Sequence, residues 1–159
     1  MISHKHQCIF IHIPKTAGMS VENMFLESLG LTYNQFKKVG PPALAHLKAR
    51  EYVSMHYLNK ELFESYYKFA FVRNPYDRLV SIYRHFKYDR LISFPVFIEV
   101  EFPRIYKEKP YFVTPQIDYL VDSKSKILVD KIYRFENLEN SVKDLSKKLP
   151  YSISKLRYI

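Results

Sequence analysis

The sequence predicts an α/β domain: a central parallel sheet with helices packed on it. Two observations carry this. Three short apolar runs, Gln7–Ile13, Tyr67–Val72 and Lys131–Phe135, are each followed by a turn and a helical pattern, and strands that alternate with helices build a parallel sheet. No internal repeat, low-complexity tract or Gly/Ser linker divides the 159 residues, so one domain over 1–159 is expected. A chain of this length buries roughly 70% of its unfolded surface, enough for a core without disulfides or structural metal.

The elements follow in order. Gln7–Ile13 is β-branched and apolar and stops at Pro14, which reads as a buried strand. Pro14 to Ser20 is a tight turn. Val21 to Leu29 places apolar residues at 21, 24, 25 and 29 with Gly30 behind them, the offsets of a helix and its stop. A loop through Gly40-Pro41-Pro42 leads to Ala43–Leu58, expected to be helical from at least Lys48. Tyr67–Val72 is the second strand. Asn74 suits a cap and Pro75 a first helical position, so Pro75–Lys87 is expected to be a helix with Leu79, Tyr83 and Phe86 facing inward. Ser93–Tyr111 is aromatic and broken by Pro95, Pro103 and Pro110, and reads as short helical pieces and loops. Lys131–Phe135 is the third strand, and Glu136–Leu149 an amphipathic helix with Leu138, Val142, Leu145 and Leu149 on one face. Ligands in such sheets bind beyond the carboxyl ends of the strands, here the turns after Ile13, Val72 and Phe135.

Composition narrows the function class. Cys8 is the single cysteine, which excludes a disulfide scaffold and suits a reducing, cytoplasmic setting. The longest apolar runs, Ile9–Ile13 and Phe94–Phe102, are interrupted by His12, Glu99 and Glu101 and fall far short of the roughly 20 residues of a bilayer crossing. Met1–Cys8 is polar and lacks a signal-peptide apolar region. The 25 Lys and Arg against 16 Asp and Glu give a net charge of +9 and favour an anionic partner, for which nucleic acid, an anionic glycan, a nucleotide and a lipid headgroup are all suitable.

The first two turns carry the sharper signals. The first puts Lys15, Thr16, Gly18 and Ser20 between a strand and a helix start, where unpaired amides and the helix dipole attract an anion. It lacks the glycine spacing of a Walker A loop, which disfavours an ATP-dependent kinase. The second, Phe71-Val-Arg-Asn-Pro-Tyr-Asp-Arg-Leu-Val-Ser81, places Arg73 at a strand end and Ser81 eight residues on, a fork-shaped cation and a hydroxyl suited to a phosphate. Without a ligand, the same residues would form an ordinary turn, an Arg73–Asp77 ion pair and a packed serine. His4, His6 and His12 lack the companions of a metal site, and no metal is expected.

Together, Ile11-His-Ile-Pro-Lys-Thr-Ala-Gly-Met-Ser20 and the Phe71–Ser81 segment resemble the 5'-phosphosulfate loop and the 3'-phosphate motif of sulfotransferases that use 3'-phosphoadenosine 5'-phosphosulfate (PAPS). The branch resembled is that of carbohydrate sulfotransferases of the heparan 2-O type and their bacterial relatives. Ala45–Tyr52 is similar to the segment that carries the base histidine, and Tyr133–Leu138 to a strand-to-helix signature. The resemblance implies a P-loop-like three-layer fold and PAPS as co-substrate. It implies that Lys15, Thr16, Ala17, Gly18, Met19 and Ser20 hold the phosphosulfate, that Arg73 and Ser81 hold the 3'-phosphate, and that Lys15 and the base His46 are catalytic. His56 and His85 are alternatives to His46, and Arg134 and Glu136 are read as structural. The acceptor implied is a hydroxyl, on a glycan by preference. With no Trp, adenine stacking falls to Tyr, Phe or an aliphatic face. Relatives of this branch continue past the Pro150 region, whereas this sequence stops at Ile159. A minimal enzyme, a homo-oligomer that lends cover and a degenerate nucleotide-binding member all fit that end. The rival functions are a non-catalytic nucleotide- or glycan-binding module and a basic nucleic-acid-binding protein.

Overall fold

The computed structural model describes residues 1–30 and 45–156 of the chain. Its centre is a four-stranded sheet of β1 (Ile2–Ser3), β2 (Cys8–Ile11), β3 (Tyr67–Val72) and β4 (Lys131–Arg134), in that spatial order. β2, β3 and β4 run parallel, with Ile11 opposite Ala70 and Val72 opposite Arg134. β1, absent from the sequence reading, is a two-residue antiparallel edge in which Ile2 faces Ile9. So short an edge leaves almost no periodic signal.

Helices lie between the strands. α1 (Gly18–Glu27) starts three residues before the first periodic position, because Ala17 turns left-handed and its carbonyl accepts from the Val21 amide at 3.1 Å. Gly30, with φ +69°, donates to the Glu27 carbonyl behind it, as its expected role of stop requires. The long helix expected over Ala43–Leu58 is a correction. Ala43 and Leu44 lie outside the described residues, and only α2 (Glu51–Ser54) is α-helical thereafter. The Ala49 amide donates to the Tyr119 carbonyl at 2.7 Å and the Glu51 carboxylate accepts from the Lys48 amide, so donors that would extend the helix are already taken. α3 (Lys60–Ser65) was not anticipated, although Asn59 caps it in the ordinary way.

α4 (Pro75–His85) follows β3 directly, with Asn74 accepting from the Tyr76 amide and Pro75 in the first turn, as expected. The Ser93–Tyr111 region is more continuous than its prolines suggest. α5 (Phe94–Val96), a wide π turn over Phe97–Glu101, and α6 (Phe102–Glu108) run on from one another. Pro95 and Pro103 each sit at the start of a segment, and the wider turn absorbs the missing donor of Pro103. α7 (Leu138–Lys148) closes the chain order after β4.

The sheet is covered on both faces, which is why its β2 residues are all buried. Cys8, Phe10, Phe69, Phe71 and Tyr133 point one way, against Val21, Met24 and Phe25 of α1 and Val142 and Leu145 of α7. Ile9, Ile11 and Ala70 point the other way, against Tyr52, Phe63, Tyr119 and Leu120. A third cluster, Ile82, Phe97, Ile105 and Phe112, joins α4 to the 94–112 segment. The described residues therefore form an α/β fold with a mostly parallel sheet flanked by helices. None of their helices is long and apolar enough to cross a membrane.

Candidate functional site

Because β2, β3 and β4 are parallel neighbours, the turns that follow them lie side by side along one edge. This brings together residues 58 and 62 positions apart. In the first turn Lys15 and Ala17 both have φ 69°. Left-handed backbone costs a residue with a Cβ about 1–2 kcal/mol, so the surroundings must hold the turn. Thr16 is fully buried and its hydroxyl donates to the Ile13 carbonyl at 2.9 Å. Arg78 Nε donates to the Pro14 carbonyl at 3.0 Å. Gly18 has no room for a side chain, since a Cβ there would lie 1.8 Å from Nε2 of His12. Ser20 is buried in the first turn of α1, while Met19 and Ala17 are half-buried.

Arg73 occupies the second turn. Its backbone is gripped by one side chain: Gln116 accepts from the Arg73 amide at 2.9 Å and donates to the Arg73 carbonyl at 2.7 Å. Its guanidinium lies over the Phe135 ring, 4.2 Å from the centroid, and Nη1 reaches the Lys15 carbonyl at 3.4 Å. Nε is buried without a hydrogen-bond partner. The Arg73–Asp77 pair considered from sequence does not form. Among the described residues neither Lys15 nor Arg73 has a carboxylate ion-pair partner. Burial, together with the nearby Arg73, pulls the Lys15 amine below the usual lysine range. Two neighbouring cations without a carboxylate between them leave positive charge that an anion could neutralise. Ser81 is half-buried on α4, the helix that begins two residues after Arg73. Glu136 accepts from the Asn74 amide and so ties the third turn to the second, a structural part.

The three candidate histidines separate clearly. His56 is exposed in a left-handed turn after α2. His85 ends α4 against Phe112, at a ring distance of 5.2 Å. His46 approaches the first turn directly: its Nδ1 lies 3.0 Å from the His12 carbonyl, and its ring meets the His12 ring edge-on at 4.5 Å and stacks beside Tyr111 at 5.5 Å. A carbonyl only accepts, so Nδ1 carries the proton and Nε2 keeps its lone pair. Burial is the main cause that lowers the His46 pKa to about 4, with the His12 charge adding to it. The ring is therefore neutral near pH 7, the form in which imidazole accepts a proton.

Four supporting residues were not foreseen. Gln116 fixes Arg73. Arg78, 6% exposed, donates to the carbonyls of Pro14, Thr114 and Phe112, at 3.0, 3.0 and 2.8 Å, and so straps the first turn to the segment bearing Tyr111 and Phe112. Burial lowers its pKa. His12 and Glu22 form a buried pair, Nδ1 to Oε1 at 3.0 Å. A charge inside an apolar run was their one visible signal in the sequence. Among the described residues no group of acidic, His and Cys side chains is suited to a metal ion.

A protein of Archaeoglobus fulgidus described as uncharacterized is 32% identical over 95 residues, which is 58% of this chain and 74% of the relative. No solved structure matches significantly. The profile described as "Sulfotransferase family" matches residues 1–152, a span that takes in all three turns and His46, and by that match the chain belongs to the sulfotransferase family.

Proposed function

We propose that the protein transfers a sulfuryl group from PAPS to a hydroxyl of a carbohydrate. The observation that carries this reading is the pairing of Lys15 with Arg73. The Arg73 guanidinium rests on the main-chain carbonyl of Lys15 and its charge acts on the Lys15 amine; neither cation has a carboxylate partner, and one guanidinium nitrogen is buried with no partner. A donor with phosphate groups at both its 5' and 3' positions supplies anions to both.

In this reading the amides of residues 15–20 and the Ser20 hydroxyl receive the phosphosulfate. Thr16 contributes through its amide, since its hydroxyl proton is given to Ile13. Arg73 and Ser81 receive the 3'-phosphate. The acceptor oxygen attacks sulfur as the bond from sulfur to the bridging oxygen breaks, and 3'-phosphoadenosine 5'-phosphate leaves. His46 Nε2 takes the acceptor's proton. Lys15 faces the bridging oxygen, where charge grows during the step, so its amine favours the transition state over the ground state. The fold around the site fits the P-loop-like three-layer arrangement implied by the resemblance. The flat ring of Tyr111 beside His46 and the net charge of +9 suit a sugar bearing acidic groups. Buried Cys8 fits a reducing compartment such as the cytoplasm.

The test is incubation with PAPS and a panel of glycans, small alcohols and tyrosyl peptides, with sulfated product read by mass spectrometry. Product from a glycan that is lost in His46→Ala is the expected result. Donor binding with no product from any acceptor, and no effect of His46→Ala on it, would leave a binding module instead.

A further inference from the structure

We propose that Glu22 and His12 are positioning residues that hold His46 in the tautomer required of a base. This rests on the sulfuryl-transfer reading for its kinetic consequence alone. Glu22 is 2% exposed and His12 5% exposed, and a carboxylate so deeply buried is costly unless a hydrogen bond compensates it. Its partner is His12 Nδ1 at 3.0 Å. The carboxylate accepts, so Nδ1 of His12 carries a proton and the plane of the ring is fixed from the α1 side. Gly18, one helical turn before Glu22, leaves room for the ring, which occupies the place where a side chain at 18 would stand. On the flank of the ring lies His46, edge-on at 4.5 Å. The main chain of the same His12 takes the Nδ1 proton of His46 at 3.0 Å.

One residue thus sets both the orientation and the tautomer of the base. The Glu22 carboxylate is hydrogen-bonded to His12, and the transfer step has no use for a buried acid. With the carboxylate removed, the His12 ring loses its anchor, the packing against His46 loosens, and His46 samples both tautomers. Misplacement of a proton acceptor by about 1 Å costs on the order of 10²-fold in rate.

The experiment reads His46 twice. Imidazole ¹⁵N–¹H correlation spectra on the unliganded protein assign its tautomer without any reaction. The wild type is expected to show the proton on Nδ1, Glu22→Ala a mixture, and Glu22→Gln, whose amide oxygen can still accept from His12, the wild-type pattern. Turnover should fall about 10²-fold in Glu22→Ala with the KM for donor nearly unchanged, and Glu22→Ala should cost nothing further once His46 is alanine. A wild-type proton on Nε2, or an unmixed Nδ1 signal in folded Glu22→Ala, would overturn the proposal. So would additive losses in the double variant. If no acceptor is ever sulfated, the kinetic arm is silent and the sulfuryl-transfer reading fails, whereas the spectra still decide the role of the pair. Should Glu22→Ala not fold, the wild-type and Glu22→Gln spectra decide alone, and an Nε2 proton in either refutes it.

Discussion

Lys15 and Arg73 are alike in charge, and the proposed transfer gives them different tasks. In it the amine is a compact donor at the phosphosulfate end, so Lys15→Ala is expected to lower turnover by about 10²–10³-fold while binding of the donor weakens far less. The guanidinium is held by stacking on Phe135, which a lysine cannot reproduce, so Arg73→Lys should bind donor little better than Arg73→Ala in a calorimetric titration. His46 adds a pH dependence. Its folded value of about 4 lies below the ordinary 6.5, so the unfolded chain binds more protons between those values. Stability is therefore full above about pH 6.5 and falls as pH drops through that window, by up to roughly 3 kcal/mol. His6 and His85, whose values burial also lowers, act in the same sense. Denaturant melts at pH 7 and pH 4.5 should show the slope, and His46→Asn should flatten it in part.

At the scale of elements, helix α4 links the first turn to the aromatic segment beside His46. Arg78 on its inner face donates to three carbonyls, and its replacement by Met leaves those acceptors buried and unpaired. Each such group costs about 1–3 kcal/mol, so Arg78→Met should lower stability by at least about 3 kcal/mol in urea titrations. The other end of α4 shows the reverse. Lys87, just past the helix, is exposed with φ 61°, a conformation that suits glycine. Lys87→Gly is expected to stabilise by about 1 kcal/mol, seen as a raised melting temperature. Much of this level was legible in the sequence. Tyr67–Val72 and the Asn74-Pro75 start of α4 were readable because apolar periodicity and capping chemistry are local. The break in Ala43–Leu58 was not, because the Tyr119 carbonyl that takes the Ala49 amide is 70 residues away. The 94–108 helical run was hidden by prolines that the structure places at segment starts.

Across the whole molecule, the order β2-β3-β4 does the assembling: parallel neighbours set their following turns on one edge, and the motif residues meet there. Lys15, Arg73 and His46 stood out in the sequence because each lies in a contiguous motif, whatever their roles prove to be. Gln116 and Arg78 did not, since each acts on main chain distant in sequence, and the His12–Glu22 pair showed only as a charge inside an apolar run. The positive surface adds long-range attraction, so donor affinity should weaken as salt rises. The most direct measurement is isothermal titration of 3'-phosphoadenosine 5'-phosphate against adenosine monophosphate, on wild type and Arg73→Ala. The 3'-phosphate should tighten binding by 10²-fold or more in the wild type, and that advantage should vanish in Arg73→Ala. Equal affinities of the wild type for the two nucleotides would contradict the two-cation site on which the account rests.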